Sequence, residues 1–233
     1  MLEAIVISDV HLGSRLCRTD LLDSFLRGLP ATRRLILNGD VMESSEYRLR
    51  RDHWRILSKL RKLADNLELV WIRGNHDYDA DSIAHILGAA MASEYTFSIR
   101  AVTYLCTHGD QWDDFTTNRP VATFFFDLIY GRIQGYSPRL SRHLKRTSKT
   151  FLHCCQKVRE GARKLGDKRK AKVVLCGHTH QPEAHEHLGY FNSGCWTEEE
   201  CHYLTIDGTG LVQLLRYEKP PEFIATLSDE MRA

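Results

Sequence analysis

The sequence predicts an α/β protein with a mostly parallel central sheet, and three observations lead to that class. Short apolar runs alternate with helical patterns through the first hundred residues, the order that lays helices against a parallel sheet. Five strand-like runs end in Asp, Asn or His, and ligands collect at the carboxyl ends of parallel strands. Past residue 180 the runs are short and punctuated by glycine, which predicts antiparallel strands and a second sheet.

Ile5-Val6-Ile7-Ser8 is the first predicted strand and runs into Asp9-Val10-His11. Leu21, Leu22, Phe25 and Leu26 follow at helical spacing, and Pro30 closes that helix. Leu35-Ile36-Leu37-Asn38 is a second strand and ends at Gly39-Asp40. Residues 47–65 read as a charged helix with Trp54, Ile56, Leu57, Leu60 and Leu63 on or near one face. The apolar run at 67–72 then delivers Arg73-Gly74-Asn75-His76-Asp77. A further helix is predicted over 82–92. Tyr95, Phe97 and Ile99 alternate before a turn near Arg100, and with 102–107 they form a hairpin ending at His108-Gly109-Asp110. Val173-Val174-Leu175-Cys176 runs into Gly177-His178-Thr179-His180, and segments 183–191, 201–206 and 211–217 supply the later strands.

Between Asp113 and Lys172 the β pattern stops. Phe124, Phe125, Phe126, Leu128, Ile129, Tyr130 and Ile133 form an aromatic helix candidate. Leu144, Phe151, Val158 and Leu165 recur every seven residues, with Ser148, Cys155 and Ala162 beside them, a helical stripe. The reading is one domain over 1–217 with a helical basic insertion at about 115–170, and a tail over 218–233.

A net charge of +2 hides a strong asymmetry. From Arg132 to Lys172 fourteen Lys or Arg face only Glu160 and Asp167, so this stretch carries +12 and the remainder −10. Seven scattered cysteines without CxxC spacing exclude a disulfide framework or a structural zinc finger and predict reduced core thiols. The first strand begins almost at Met1, without a basic leader, and no apolar run approaches the roughly 18 residues that cross a bilayer. A cytoplasmic protein is expected.

Asp9, His11, Asp40, His108, His178 and His180, with the amide oxygen of Asn75, make seven metal donors. A carboxylate between two cations can bridge them, and imidazole suits Zn, Fe, Mn or Ni rather than a Mg-only site. Two ions about 4 Å apart can clamp a phosphoryl group and generate a hydroxide that attacks phosphorus. His76 would stand beside that phosphate, stabilising charge or protonating the leaving oxygen.

Asp9-x-His11, Gly39-Asp40, Gly74-Asn75-His76-Asp77, His108-Gly109-Asp110 and Gly177-His178-Thr179-His180 together resemble the calcineurin-like metallophosphoesterase superfamily. The resemblance implies a four-layer αββα sandwich and two divalent metal ions. It implies that Asp9, His11 and His180 hold one ion, that Asn75, His108 and His178 hold the other, and that Asp40 bridges them. His76 is then the catalytic histidine, with Asp77 orienting it.

Within the superfamily, Ser8-Asp9-Val10-His11-Leu12, the helical insertion after Asp110 and Gly177-His178-Thr179-His180-Gln181-Pro182 most resemble the UDP-2,3-diacylglucosamine pyrophosphatase branch of lipid A synthesis. That branch implies manganese, a nucleotide-linked lipid substrate, a lid over acyl chains and a peripheral place on the inner membrane. Arg139, Arg142, Lys145, Arg146 and Lys149 are then the substrate-binding candidates, and contact with anionic membrane lipid is expected through the same basic surface. The chain departs from the branch in carrying His76 where arginine is typical. The alternatives are a nuclease or another phosphodiesterase or phosphatase on the same site, with nucleic acid as partner, or a non-catalytic scaffold. The scaffold is least favoured because all eight site residues are kept.

Overall fold

The computed structural model describes residues 1–43, 48–77, 79–113 and 148–220. Four helices and eleven strands occupy them: β1 (Ala4–Ile7), α1 (Thr19–Arg27), β2 (Arg34–Asn38), α2 (Arg51–Leu63), β3 (Glu68–Ile72), α3 (Asp81–Leu87), β4 (Ala90–Ala92), β5 (Glu94–Ile99), β6 (Val102–Thr107), α4 (Lys149–Lys168), β7 (Val173–Cys176), β8 (Glu183–His185), β9 (Tyr190–Asn192), β10 (His202–Ile206) and β11 (Val212–Arg216). They form a six-stranded sheet, β11-β10-β1-β2-β3-β4, and a five-stranded sheet, β5-β6-β7-β9-β8.

β1 to β3 are apolar on both faces because both faces are covered. Ile5, Ile7, Leu35, Leu37 and Trp71 meet Leu22, Phe25, Leu26, Ile56, Leu57 and Leu60 of α1 and α2. The intervening residues, Ala4, Val6, Ile36, Val70 and Ile72, turn the other way onto Phe97, Tyr104, Cys106, Leu175 and Phe191 of the second sheet. Leu105, Val174, Cys176 and Tyr190 face outward again and receive Ala162 and Leu165 of α4. The order of layers is therefore helices, sheet, sheet, helix, the αββα sandwich the motifs implied.

Several boundaries differ from the sequence reading. The helix predicted over 82–92 stops at Leu87, because Gly88 takes a left-handed φ of 73° and turns the chain. Residues 90–92 become β4, pairing in parallel with β3 at the sheet edge. α2 is shorter than 47–65, and Trp54 is 60% exposed at the margin of its buried face while His53 is buried. The C-terminal strands do not make one antiparallel sheet: β10 and β11 extend the first sheet, and β9 lies parallel to β7 in the second. Segment 183–191 is broken by a 3-10 turn over Glu186–Leu188. All seven cysteines are free.

The part of the heptad stripe that lies in α4 packs on the sheet, while Leu144 and the aromatic helix candidate from Phe124 to Ile133 lie outside the described residues. Cys155, Val158, Ala162 and Gly166 are the buried positions of α4. Gly161 gives room to the indole of Trp112, which stands 2.3 Å from where a Cβ would be. The described basic residues of this segment are partly paired: Arg159 with Glu183 at 3.0 Å, Arg163 with Asp167 at 3.1 Å, and Arg169 with Glu94. No described helix is long and apolar enough to cross a membrane.

Candidate metal centre

The loops after β1, β2, β3, β6 and β7 converge at one edge of the sandwich and carry the predicted donors there. Their backbone is unusual. Seven described non-glycine residues have left-handed φ, and five of them are Asp9, His11, Asp40, His178 and His180. Each such residue costs about 1 kcal/mol or more, and strain of this kind gathers where a site is assembled. Gly39, Gly74 and Gly177 let the loops close: a Cβ would stand 2.1 Å from His108 Nδ1, 2.2 Å from Asp40 Oδ1 and 2.7 Å from Ser8 Cβ, respectively.

Three groups of donors result among the described residues, each with ligand atoms within 4.8 Å of one another: Asp9, His11 and His180; Asp40, His108 and His178; and His11, Glu43 and His76. His180 Nε2 lies 3.2 Å from Asp9 Oδ1, and His108 Nε2 lies 3.2 Å from Asp40 Oδ2. His11 Nε2, at 3.8 Å from Asp40 Oδ2, links the first two groups.

The imidazoles are held from behind. His11 Nδ1–H donates to Glu43 Oε2 at 2.9 Å, His76 Nδ1–H to the Glu43 carbonyl at 2.8 Å, and His108 Nδ1–H to the Asn38 carbonyl at 2.9 Å. His178 Nε2–H donates to Asp113 at 3.1 Å, and Thr197 Oγ1 is 3.4 Å from His180 Nδ1. An oxygen partner on one nitrogen fixes the tautomer and leaves the lone pair on the other, the arrangement of metal-binding histidines. The inward atoms are correspondingly unsatisfied: Asp9 Oδ1, His11 Nε2 and His108 Nε2 are buried without a hydrogen-bond partner. Orphaned acceptors of this kind are costly unless a cation meets them, so the donor set fits divalent metals.

Electrostatics agree. Burial works to raise the Asp9 carboxyl, yet His180 and His108 outweigh it and draw it down to about 2. Asp40 is likewise held below the usual carboxylate range, burial being overcome by His108, His11 and His76. Burial opposes charge on His108, but Asp40 and Asp9 push it up to about 10. The carboxylates stay ionised and draw protons onto the rings, in positions a cation would take instead.

Asp77 has a different task from the one expected of it. Instead of orienting His76, its buried carboxylate accepts from the backbone N–H of Met42 at 2.9 Å and Gly74 at 3.0 Å and from Trp71 Nε1 at 3.1 Å. It ties the β2 and β3 loops together, and the ring of His76 is set by Glu43. Asn75 is exposed on the loop that wraps Asp40, between Gly74 and His76, whose backbone N–H donates to Asp40 at 2.9 Å. Arg139, Arg142, Lys145 and Arg146 lie outside the described residues, and Lys149 is exposed at the start of α4.

Sequence reasoning missed Glu43, Asp113 and the end of β9. Asn192 donates to the Gly177 carbonyl at 2.6 Å, Ser193 Oγ lies 2.7 Å from Ser8 Oγ, and the Trp196 N–H donates to the Asp9 carbonyl at 3.0 Å. The clue was Asn192-Ser193-Gly194 directly after an apolar pair, a sixth polar strand end.

Paired sheets with carboxylates and imidazoles clustered at one edge define an αββα protein with a two-ion donor set. The model of the calcineurin-like phosphoesterase family matches residues 3–182, and the chain belongs to that family. The family and the His/Asp clusters support a phosphoester hydrolase that uses divalent metals and acts on a phosphorylated substrate. No curated protein matches the sequence. Similar solved structures include the phosphoesterase YfcE from E. coli, at 15% identity and a TM-score of 0.47 over 92% of this chain and 99% of that one. Vps29 from Chaetomium thermophilum is similar at 13% identity and 0.49, over 94% and 100%. A Thermotoga maritima protein is similar at 23% identity and 0.48, over 93% and 99%.

Proposed function

We propose that this chain is a two-metal pyrophosphatase that cleaves the phosphoanhydride of a nucleotide-linked lipid of the UDP-2,3-diacylglucosamine type. The observation that carries the hydrolase reading is the set of imidazoles bonded outward to oxygen, with unsatisfied nitrogens turned towards Asp9 and Asp40. In this reading Asp9, His11 and His180 hold one ion, Asn75, His108 and His178 hold the second, and Asp40 bridges. Manganese is the proposed metal, with iron or zinc as competitors for the same nitrogen-rich set. Two divalent cations supply Lewis acidity and neutralise charge on the phosphoryl oxygens.

The protein's own groups do the rest. Water adds to one phosphorus while the bond to the bridging oxygen breaks, giving UMP and a lipid monophosphate. His76, fixed through Nδ1 by the Glu43 carbonyl, presents Nε2 to a phosphoryl oxygen. A phosphate departs readily as an anion, so His76 stabilises developing charge rather than delivering a whole proton. Asp77 keeps its loop in place by the four N–H bonds it accepts, from Val41, Met42, Gly74 and the Trp71 indole. The +12 segment, with Arg139, Arg142, Lys145, Arg146 and Lys149, is the proposed contact with lipid head groups and brings the enzyme from the cytoplasm to the membrane surface.

The test is hydrolysis of UDP-2,3-diacylglucosamine in mixed micelles, beside bis-p-nitrophenyl phosphate, with Mn²⁺ and with EDTA. Metal-dependent release of UMP is expected. Cleavage of the chromogenic diester alone would retain the hydrolase and reject the lipid substrate.

A further inference from the structure

A cleft of about 460 Å³ opens beside the donors, lined by Gly13, Ser14, Arg15, Glu43, Arg48 and Arg50. The loops after β1 and β2 build it by continuing to pair beyond the site. Leu12 N–H donates to the Val41 carbonyl at 2.8 Å, and Glu43 N–H returns to the Leu12 carbonyl at 2.9 Å. This ladder holds Glu43 against the loop of Gly13 to Arg15. The Ser14 N–H closes on the His11 carbonyl at 3.0 Å, so Arg15 stands four residues from a donor on a tied turn. Glu43 belongs to both places: it lines the cleft, its carboxylate takes the His11 ring, and its carbonyl takes that of His76.

The charges of the lining are unbalanced. Arg50 is tethered to Asp52 at 3.1 Å, and Glu43 is engaged by His11. Arg15 and Arg48 are exposed and have no ion pair or hydrogen bond among the described residues. Two uncommitted guanidinium groups thus flank a small-molecule-sized cleft that shares Glu43 with the His11 and His76 rings. Guanidinium matches phosphate in geometry as well as charge, and the size suits part of a small ligand.

We propose that this cleft is a second phosphate subsite, in which Arg15 and Arg48 bind the phosphoryl group of a phosphoanhydride that is not attacked. The proposal rests on the pyrophosphatase reading above and adds the residues that distinguish an anhydride from a simple ester.

The experiment is calorimetric titration of the Mn²⁺-loaded protein with methylenediphosphonate and with methylphosphonate, at buffered free metal. Neither ligand is hydrolysed, so the result does not depend on turnover. The wild-type protein is expected to prefer the diphosphonate by roughly tenfold or more. The Arg15→Ala, Arg48→Ala double variant is expected to lose that preference, and the corresponding double lysine variant to keep part of it. Both positions are exposed, and unchanged thermal midpoints will show that the variants fold. An unchanged preference in the alanine variant, or none in the wild type, overturns the subsite. Failure to release UMP with the preference intact would instead strike the lipid substrate and leave the subsite standing.

Discussion

At the scale of single residues, the strongest expectations concern Asp40 and His76. Asp40 is buried between His11 and His108 and takes the His76 backbone N–H, so Asp40→Ala should lose bound metal and activity together. His76→Ala should lower kcat by roughly a hundredfold or more while metal content, read by plasma mass spectrometry, is retained. Wild-type turnover in either variant would sink the mechanism. Gly74 is a third case: a Cβ there would stand 2.2 Å from Asp40 Oδ1, so Gly74→Ala should weaken metal binding although it adds one methyl group. Protons report on the same cluster. His108 rises from 6.5 to about 10 in the folded protein. A folded value above the unfolded one contributes stability in full below pH 6.5, and that contribution fades as pH climbs towards 10. Chelator-treated protein should therefore show a falling Tm across that window, and a flat profile would contradict the pairing with Asp40.

At the scale of elements, the strand ends were readable because chemistry and topology coincide there. Apolar runs such as Leu35-Ile36-Leu37 declare a strand covered on both faces, and an Asp or His directly after one can reach a shared edge. Glu43 and Asp113 were not readable, because their role lies in the nitrogen they hold and not in any spacing. Asp77 misled for a related reason: its neighbour in sequence is His76, whereas its carboxylate turns to N–H groups on the β2 and β3 loops. The edge strand β4 was hidden in a helical pattern, and only the left-handed Gly88 separates the two. α4 gives a test in which propensity and packing oppose each other. Gly161→Ala in a helix interior would ordinarily gain about 1 kcal/mol. Here the added Cβ would meet the Trp112 ring at 2.3 Å, so a lower Tm is expected, with a net loss of about 1 kcal/mol or more. A raised Tm would mean that Trp112 does not depend on that glycine.

At the scale of the whole molecule, the donors straddle a seam. Asp9, His11, Asp40 and His76 follow strands of the first sheet, while His108, His178 and His180 follow strands of the second. Asn38 stitches the seam, its amide donating to the Thr107 carbonyl at 3.2 Å and the Leu175 carbonyl at 3.1 Å while its own carbonyl holds His108. An ion bound to the folded chain alone should raise the unfolding midpoint, by about 2.7 kcal/mol in stability at a hundredfold excess over Kd. EDTA should reverse it, and equal midpoints with and without Mn²⁺ would show that the clusters hold no ion. Because the donors of the two groups that contain an aspartate run from Asp9 to His180, neither group is complete before His178 has been added to the chain. A chain leaving the ribosome must release His178 and His180 and bring both sheets together before either of these groups is assembled. Assembly of the donor set thus waits on the docking of the two sheets, and β8 to β11 are still to be made when His180 appears.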